Sequence, residues 1–148
     1  MNKSVSYQTL FVALLFFMSC NPSVSASETS SPLVPEPSSL VVVWTSGDPD
    51  VAHRVALMYT HAAQTNGWFK EVHLIVWGPS QRILVGDKDL QEKIAKMQED
   101  GVIVEACIAC AQSFGIVEEL RGLNLPVRGM GGPLTSYLKS PEHTVITF

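Results

Sequence analysis

Three apolar runs without polar alternation constrain what this chain can fold into. They are Leu40-Val-Val-Val-Trp-Thr45, Val72-His-Leu-Ile-Val-Trp77 and Val102-Ile-Val-Glu-Ala106. A strand with one wet face alternates apolar and polar residues. A strand covered on both faces, as in a parallel sheet, does not. Between the runs the apolar period changes to that of a helix. Asp48-Pro49-Asp50 supplies a cap with proline at the first helical position, then Val51, Val55, Met58 and Ala62 recur at helical spacing until Gly67. A short helical turn covers Ser80 to Val85. Asp87 caps a longer helix whose stripe is Leu90, Ile94 and Met97, with Glu92 and Lys96 paired on the wet side and Gly101 as its stop. A third helix begins in the segment Cys107-Ile-Ala-Cys110, breaks at Gly115 and resumes over Val117 to Leu123. Pro126 to Gly129 is a short fourth strand, Leu134 to Lys139 a short helix, and His143 to Phe148 a last strand. Strands alternating with helices predict an α/β fold: a three-layer α/β/α sandwich with a mainly parallel five-stranded sheet and right-handed crossovers.

The first 26 residues read as an export signal rather than as fold. Lys3 precedes Leu10-Phe-Val-Ala-Leu-Leu-Phe-Phe-Met18, an apolar run too short for a stable membrane span and of the size of a signal-peptide core. Two processing sites compete. Val24-Ser25-Ala26 is a small-residue cleavage site; Phe17-Met18-Ser19-Cys20 resembles a bacterial lipobox, in which Cys20 would carry lipid. Both lead to an exported, periplasmic location, and the second anchors the chain to a membrane through lipid at Cys20. Residues 27–39 are Ser/Pro-rich, lack a hydrophobic period and read as a disordered linker. From Cys20 such a tether reaches roughly 25 Å. The domain then spans 40–148. Of 10 Lys and Arg, one is Lys3, and all 14 Asp and Glu follow Ala26, so the exported part carries 9 − 14 = −5. A mildly acidic domain without basic clusters is unsuited to nucleic acid or anionic headgroups.

Two cysteines remain after processing, Cys107 and Cys110. Cys107 falls where a strand ends and a helix begins, a position where ligands and reactive groups gather in α/β proteins. Unpaired amides at a helix start favour thiolate over thiol. Cys107 is thus the candidate nucleophile, exposed at the rim of the sheet, and Cys110 shares its face one helical turn on. Gly78-Pro79-Ser80 and Met130-Gly131, with Thr45, belong to the same sheet edge and are candidate substrate-binding residues. Glu105 shares the face of Cys107, where a buried carboxylate would oppose the thiolate. Neither phosphate-loop motif is present, no second ligand pair suits zinc, and the four histidines show no metal spacing. No metal and no cofactor are expected.

From Leu40 to Phe148 the chain resembles the DsrE/DsrF/TusD-like sulfur-relay family, closest to its small stand-alone members. The resemblance rests on Val41-Val-Val-Trp-Thr-Ser46, Ile75-Val-Trp-Gly-Pro-Ser80, Gly101-Val-Ile-Val-Glu-Ala-Cys107-Ile-Ala-Cys110 running to Phe114-Gly115, and Met130-Gly-Gly-Pro-Leu-Thr-Ser-Tyr-Leu138. It implies a three-layer α/β fold, assembly into homo-trimers or hexamers, and a cysteine at the end of the third strand, here Cys107, that accepts persulfide sulfur from a donor and hands it on. Cys110 departs from several relay members, which have a small apolar residue there, and the export signal departs from their cytoplasmic setting. The implied partners are a sulfur donor or acceptor protein or a small sulfane-sulfur species. Two other functions fit the same residues: a non-catalytic, oligomeric module that binds a small ligand or partner, and a thiol-disulfide redox protein.

Overall fold

The computed structural model describes residues 37–148. The expected export signal, both cleavage sites and Cys20 lie outside the described residues. β1 (Ser39–Trp44) leads through the Asp48 cap into α1 (Pro49–Val51), a π-helical stretch (Ala52–Ala56) and α2 (Leu57–Thr65). There follow β2 (Glu71–Val76), α3 (Pro79–Gly86), α4 (Lys88–Glu99), β3 (Ile103–Cys107), α5 (Ile108–Phe114), α6 (Val117–Gly122), β4 (Val127–Arg128), α7 (Gly131–Lys139) and β5 (His143–Thr147). The five strands form one sheet in the order β4-β3-β2-β1-β5, and every pairing is parallel. The reading of the strands holds, with boundaries moved by a residue: Ser39, expected in the linker, is the first residue of β1 and is buried. α7 begins three residues earlier than expected, because Gly131 and Gly132 are helical instead of loop. Among the described residues no helix is long and apolar enough to cross a membrane.

The strand order dictates unequal layers. Each step from β1 to β2 to β3 to β4 moves the same way across the sheet, so right-handed crossovers put the intervening helices on one side. Only the return from β4 to β5 runs over the other side, and it carries α7. The packing follows this. Leu40, Val42, Trp44, Leu74, Val76 and Val104 face the thick side, against Leu57, Leu84, Ile94, Met97 and Leu120 of the helices. Truncating one such leucine to alanine costs about 2–5 kcal/mol. The thin side holds Val41, Val43, Ile75, Cys107 and Met130, with Leu134 and Tyr137 of α7 packed over them.

Two side chains at the start of α3 tie the carboxyl ends of the three central strands together. The Ser80 hydroxyl, fully buried, donates to the Trp44 carbonyl of β1 (2.7 Å) and accepts from the Trp77 amide after β2 (3.1 Å). Gln81, also fully buried, donates through Nε2 to the Val76 carbonyl of β2 (2.9 Å) and to the Cys107 carbonyl of β3 (3.0 Å). The Trp44 carbonyl also accepts from the Trp77 amide (2.9 Å), so Ser80 is its second donor; Gln81 supplies side-chain donors to two further carbonyls of buried residues, where losing a donor is costly. Gly78, the N-cap of α3, has φ +69° and ψ −137°, a conformation open to glycine and strained for other residues. At the other side of the edge, the amide and hydroxyl of Thr45 both donate to the Phe148 carbonyl (2.8 and 2.9 Å).

Replacing Gln81 with Met keeps volume and helix propensity while removing both donors. Urea unfolding of Gln81→Met should show a loss of about 1–3 kcal/mol with an unchanged slope. A stability equal to wild type would show that the two strand carbonyls do not depend on Gln81.

Candidate functional site

The site is built on the carboxyl edge of the sheet, where all five parallel strands end. Cys107 is the last residue of β3 and the N-cap of α5. Cys110 lies on the first turn of α5, and its thiol is within hydrogen-bond reach of the Cys107 thiol. The Gly78 amide, presented by the turn after β2, lies close enough to the Cys110 sulfur to lower its pKa. Cys107, Cys110 and Gly78 therefore meet at one point, as the topology required. Both cysteines are free thiols.

The rim exposure expected for Cys107 is not observed. The residue is 3 % exposed and packs among Val41, Val43, Ile75 and Met130. The physical reason is the packing of the thin face: Met130, the fully buried N-cap of α7, joins Cys107 in one apolar cluster against which Leu134 and Tyr137 of α7 pack. Cys110 is the more accessible of the two, being only partly buried. Burial pushes its thiol above the ordinary range, the Gly78 amide pulls it back, and the neighbouring Cys107 pushes it up further. Such a thiol keeps its proton at neutral pH more firmly than a free cysteine does. α5 has only seven residues, so its dipole is a small influence.

The other expected binding residues divide into those near the sulfurs and those held by the fold. Met130 is fully buried against Cys107, and Gly131 opens α7 behind it. Pro79 is the first residue of α3; its Cβ lies 3.1 Å from where a side chain on Gly47 would begin, so the loop after β1 approaches it closely and a larger residue at 47 would push the two apart slightly. The hydroxyls of Ser80 and Thr45 are engaged by Trp44 and Phe148, as described, and hold the edge together. A surface depression of about 720 Å³, lined by Gln112, Gly115, Val117, Glu118 and Glu119, lies on the far side of α5 and includes neither cysteine. Its apolar and acidic lining lacks convergent polar groups, which is a poor match to a ligand site. Among the described residues no cluster of His, Cys, Asp and Glu suits a metal ion.

A row of polar groups runs along the thin face beside the thiols. Glu105, two residues before Cys107 on the same face, is buried, but it is paired with Arg128 of β4 through two bonds, Nε to Oε1 at 2.5 Å and Nη2 to Oε2 at 3.0 Å. Arg128 stands directly beside Cys107 in the parallel register. A fork of this kind leaves little net charge facing the sulfur. The Arg128 guanidinium is held above its ordinary range, first by the bond to Glu105. Farther down the face, the rings of His73, Tyr137 and His143 cluster at tilted angles of 40–51° with centroids 4.9–6.5 Å apart. His73 Nε2 stands 3.2 Å from Glu71 Oε2, yet neither ring nitrogen has a well-aligned hydrogen bond. Burial raises the Tyr137 hydroxyl above its usual range, and Glu105 adds to the effect.

Sequence reasoning missed Gln81 and Arg128. Gln81 has a legible signal, because glutamine at the third position of a helix is placed to reach back past the cap; here it reaches the strand ends. Arg128 is on the same side of the fourth strand as the partner it pairs with, which becomes visible only when β4 is set in register against β3.

The described residues form a three-layer parallel α/β domain with a thiol pair at the end of its third strand. The family model for the DsrE/DsrF-like family matches residues 38–148. The chain belongs to the DsrE/DsrF-like family, whose members work in sulfur-relay complexes. Among solved structures, a conserved protein of unknown function from Bacteroides thetaiotaomicron is similar, with 32 % identity and a TM-score of 0.71 over 75 % of this chain and 95 % of that one. No curated protein matches the chain.

The pH profile of Cys110 follows from the direction of its shift. Its alkylation by iodoacetamide should be slower at pH 7 than that of a free cysteine and should rise to a midpoint above the ordinary thiol value of about 8.5. A midpoint below that value would show that the Gly78 amide outweighs burial.

Proposed function

We propose that this protein is an exported sulfur carrier whose Cys107–Cys110 pair takes up a sulfane sulfur and passes it on. The observation that supports it is the contact between two free thiols at the carboxyl edge of the sheet, in a chain whose family works in sulfur relay. One thiolate of the pair attacks the sulfane sulfur of a polysulfide or of a donor's persulfide. The donor's S–S bond breaks, the donor leaves with the electron pair, and a persulfide forms on the protein. An acceptor thiol then attacks the outer sulfur and carries it away. The partners are a sulfur donor or acceptor protein or a small sulfane-sulfur species. Assembly into a homo-oligomer, a trimer or hexamer, belongs to the same proposal; Ile103 and Leu138 leave apolar surface exposed on the thin side. The burial of Cys107 favours a second reading, a module that binds a small ligand or partner without chemistry at sulfur.

Incubation of the reduced protein with polysulfide should transfer sulfane sulfur, seen by mass as an adduct of about 32 Da or recovered as hydrosulfide, and a Cys107→Ser, Cys110→Ser double variant should transfer none. Equal uptake by the double variant would remove the thiol pair from the function. Export is tested separately, by the mass of the amino terminus of protein recovered from cells. The expected chain begins after Ala26, or at a lipidated Cys20. A chain in cell extracts that retains Met1 and the whole apolar run would overturn export.

A further inference from the structure

The two thiols are not equivalent. The thiol at the strand end is enclosed, and the one a helical turn later is partly open to solvent. We propose that Cys110 is the entry thiol and that Cys107 is the inner thiol that resolves its persulfide. This deepens the sulfur-carrier reading and rests on it: it gives the fate of the persulfide when no acceptor thiol arrives to take the outer sulfur.

Attack on a sulfane sulfur requires the incoming S–S bond to line up with the attacking sulfur. Cys107 is enclosed, buried in one apolar cluster with Val41, Val43, Ile75 and Met130, which leaves that approach closed. At Cys110 it is open in part, and the Gly78 amide lies near the sulfur. Gly78 holds its amide there through a positive φ. A side chain at this position meets nothing within 4 Å, so glycine is required by conformation and not by space. An amide so placed also suits the sulfur anion that must leave in the second step. Close packing decides what Cys107 does next. A persulfide on Cys107 would need room for an added sulfur atom within a cluster whose other buried members are 0–4 % exposed. Overfilling such a core is costly. Joining the two existing sulfurs needs no added atom.

The sequence of bonds is then as follows. The Cys110 thiolate attacks the sulfane sulfur of a polysulfide; the donor S–S bond breaks, and the shortened polysulfide leaves with its electrons. The Cys107 thiol loses its proton to water and attacks the sulfur bonded to the Cys110 Cβ. A Cys107–Cys110 disulfide forms, and hydrosulfide leaves with the electron pair of the broken persulfide bond. The sulfane sulfur is reduced and the two thiols are oxidised, so no outside oxidant enters. A dithiol reductant restores the pair.

The experiment compares wild type, Cys107→Ser and Cys110→Ser, each reduced and then exposed to one equivalent of sodium tetrasulfide, with peptide mapping by mass. In Cys107→Ser the added sulfur should remain on Cys110 as a stable persulfide. In wild type it should be released as hydrosulfide, leaving a disulfide. In Cys110→Ser uptake should be at least about tenfold slower, the enclosed thiol reacting only when the cover opens. Limiting iodoacetamide on the unaltered protein should label Cys110 before Cys107, a measurement that needs no variant to fold. Uptake by Cys110→Ser as fast as by Cys107→Ser, or labelling of Cys107 first, overturns this assignment and leaves the carrier reading intact. No uptake by any of the three proteins overturns both.

Discussion

Ser80 and Gln81 hold the carboxyl edge of this sheet, and the site depends on them. Parallel strands end by turning their last carbonyls away from the ladder, and a buried carbonyl without a donor is costly. At the end of β1 Ser80 adds a second donor beside the Trp77 amide, and Gln81 donates to the ends of β2 and β3 with one nitrogen. Both are delivered by the first turn of α3, directly after the Gly78 turn. The same few residues therefore close the sheet, orient the Cys107 peptide and set the Gly78 amide beside Cys110.

The second determinant is the asymmetry of the layers. The thick side is an ordinary apolar core. The thin side rests on one nine-residue helix with no fully buried residue of its own. Beneath and beside it lie the groups that chemistry could use: the thiol pair, the Glu105–Arg128 fork, and the clustered rings of His73, Tyr137 and His143. The fork answers the concern that a buried Glu105 would oppose a thiolate. Its charge is matched by a guanidinium that is 49 % exposed, so the pair's net contribution to stability is modest and screened.

Much of this was legible in the residues. β-branched runs without alternation named the strands, and caps at Asp48 and Asp87 named two helix starts, both confirmed by their backbone bonds. Gly131 and Gly132 misplaced the start of α7, since glycine reads as loop; here the Thr135 and Ser136 hydroxyls donate to their carbonyls and the Leu134 amide to that of Met130, which carries the helix back through them. The enclosure of Cys107 was not legible. Strand periodicity gives the face on which a side chain lies, but whether a distant helix covers that face depends on the hand of the last crossover and on where Met130, Leu134 and Tyr137 come to rest. Gln81 was hidden for a related reason: its partners are carbonyls 5 and 26 residues away, and a carbonyl carries no sequence signal.

The strand order also bears on how the chain reaches this state. β1 lies between β2 and β5, and its register with β5 joins Ser39 to His143 and Val43 to Thr147. Loops of this length close slowly. Until the last described strand docks, the most apolar strand of the protein presents an unpaired edge, the kind that templates intermolecular pairing. The half-formed sheet is therefore the species most exposed to aggregation, and a chaperone or a slow rate of synthesis would act on that interval rather than on the finished domain.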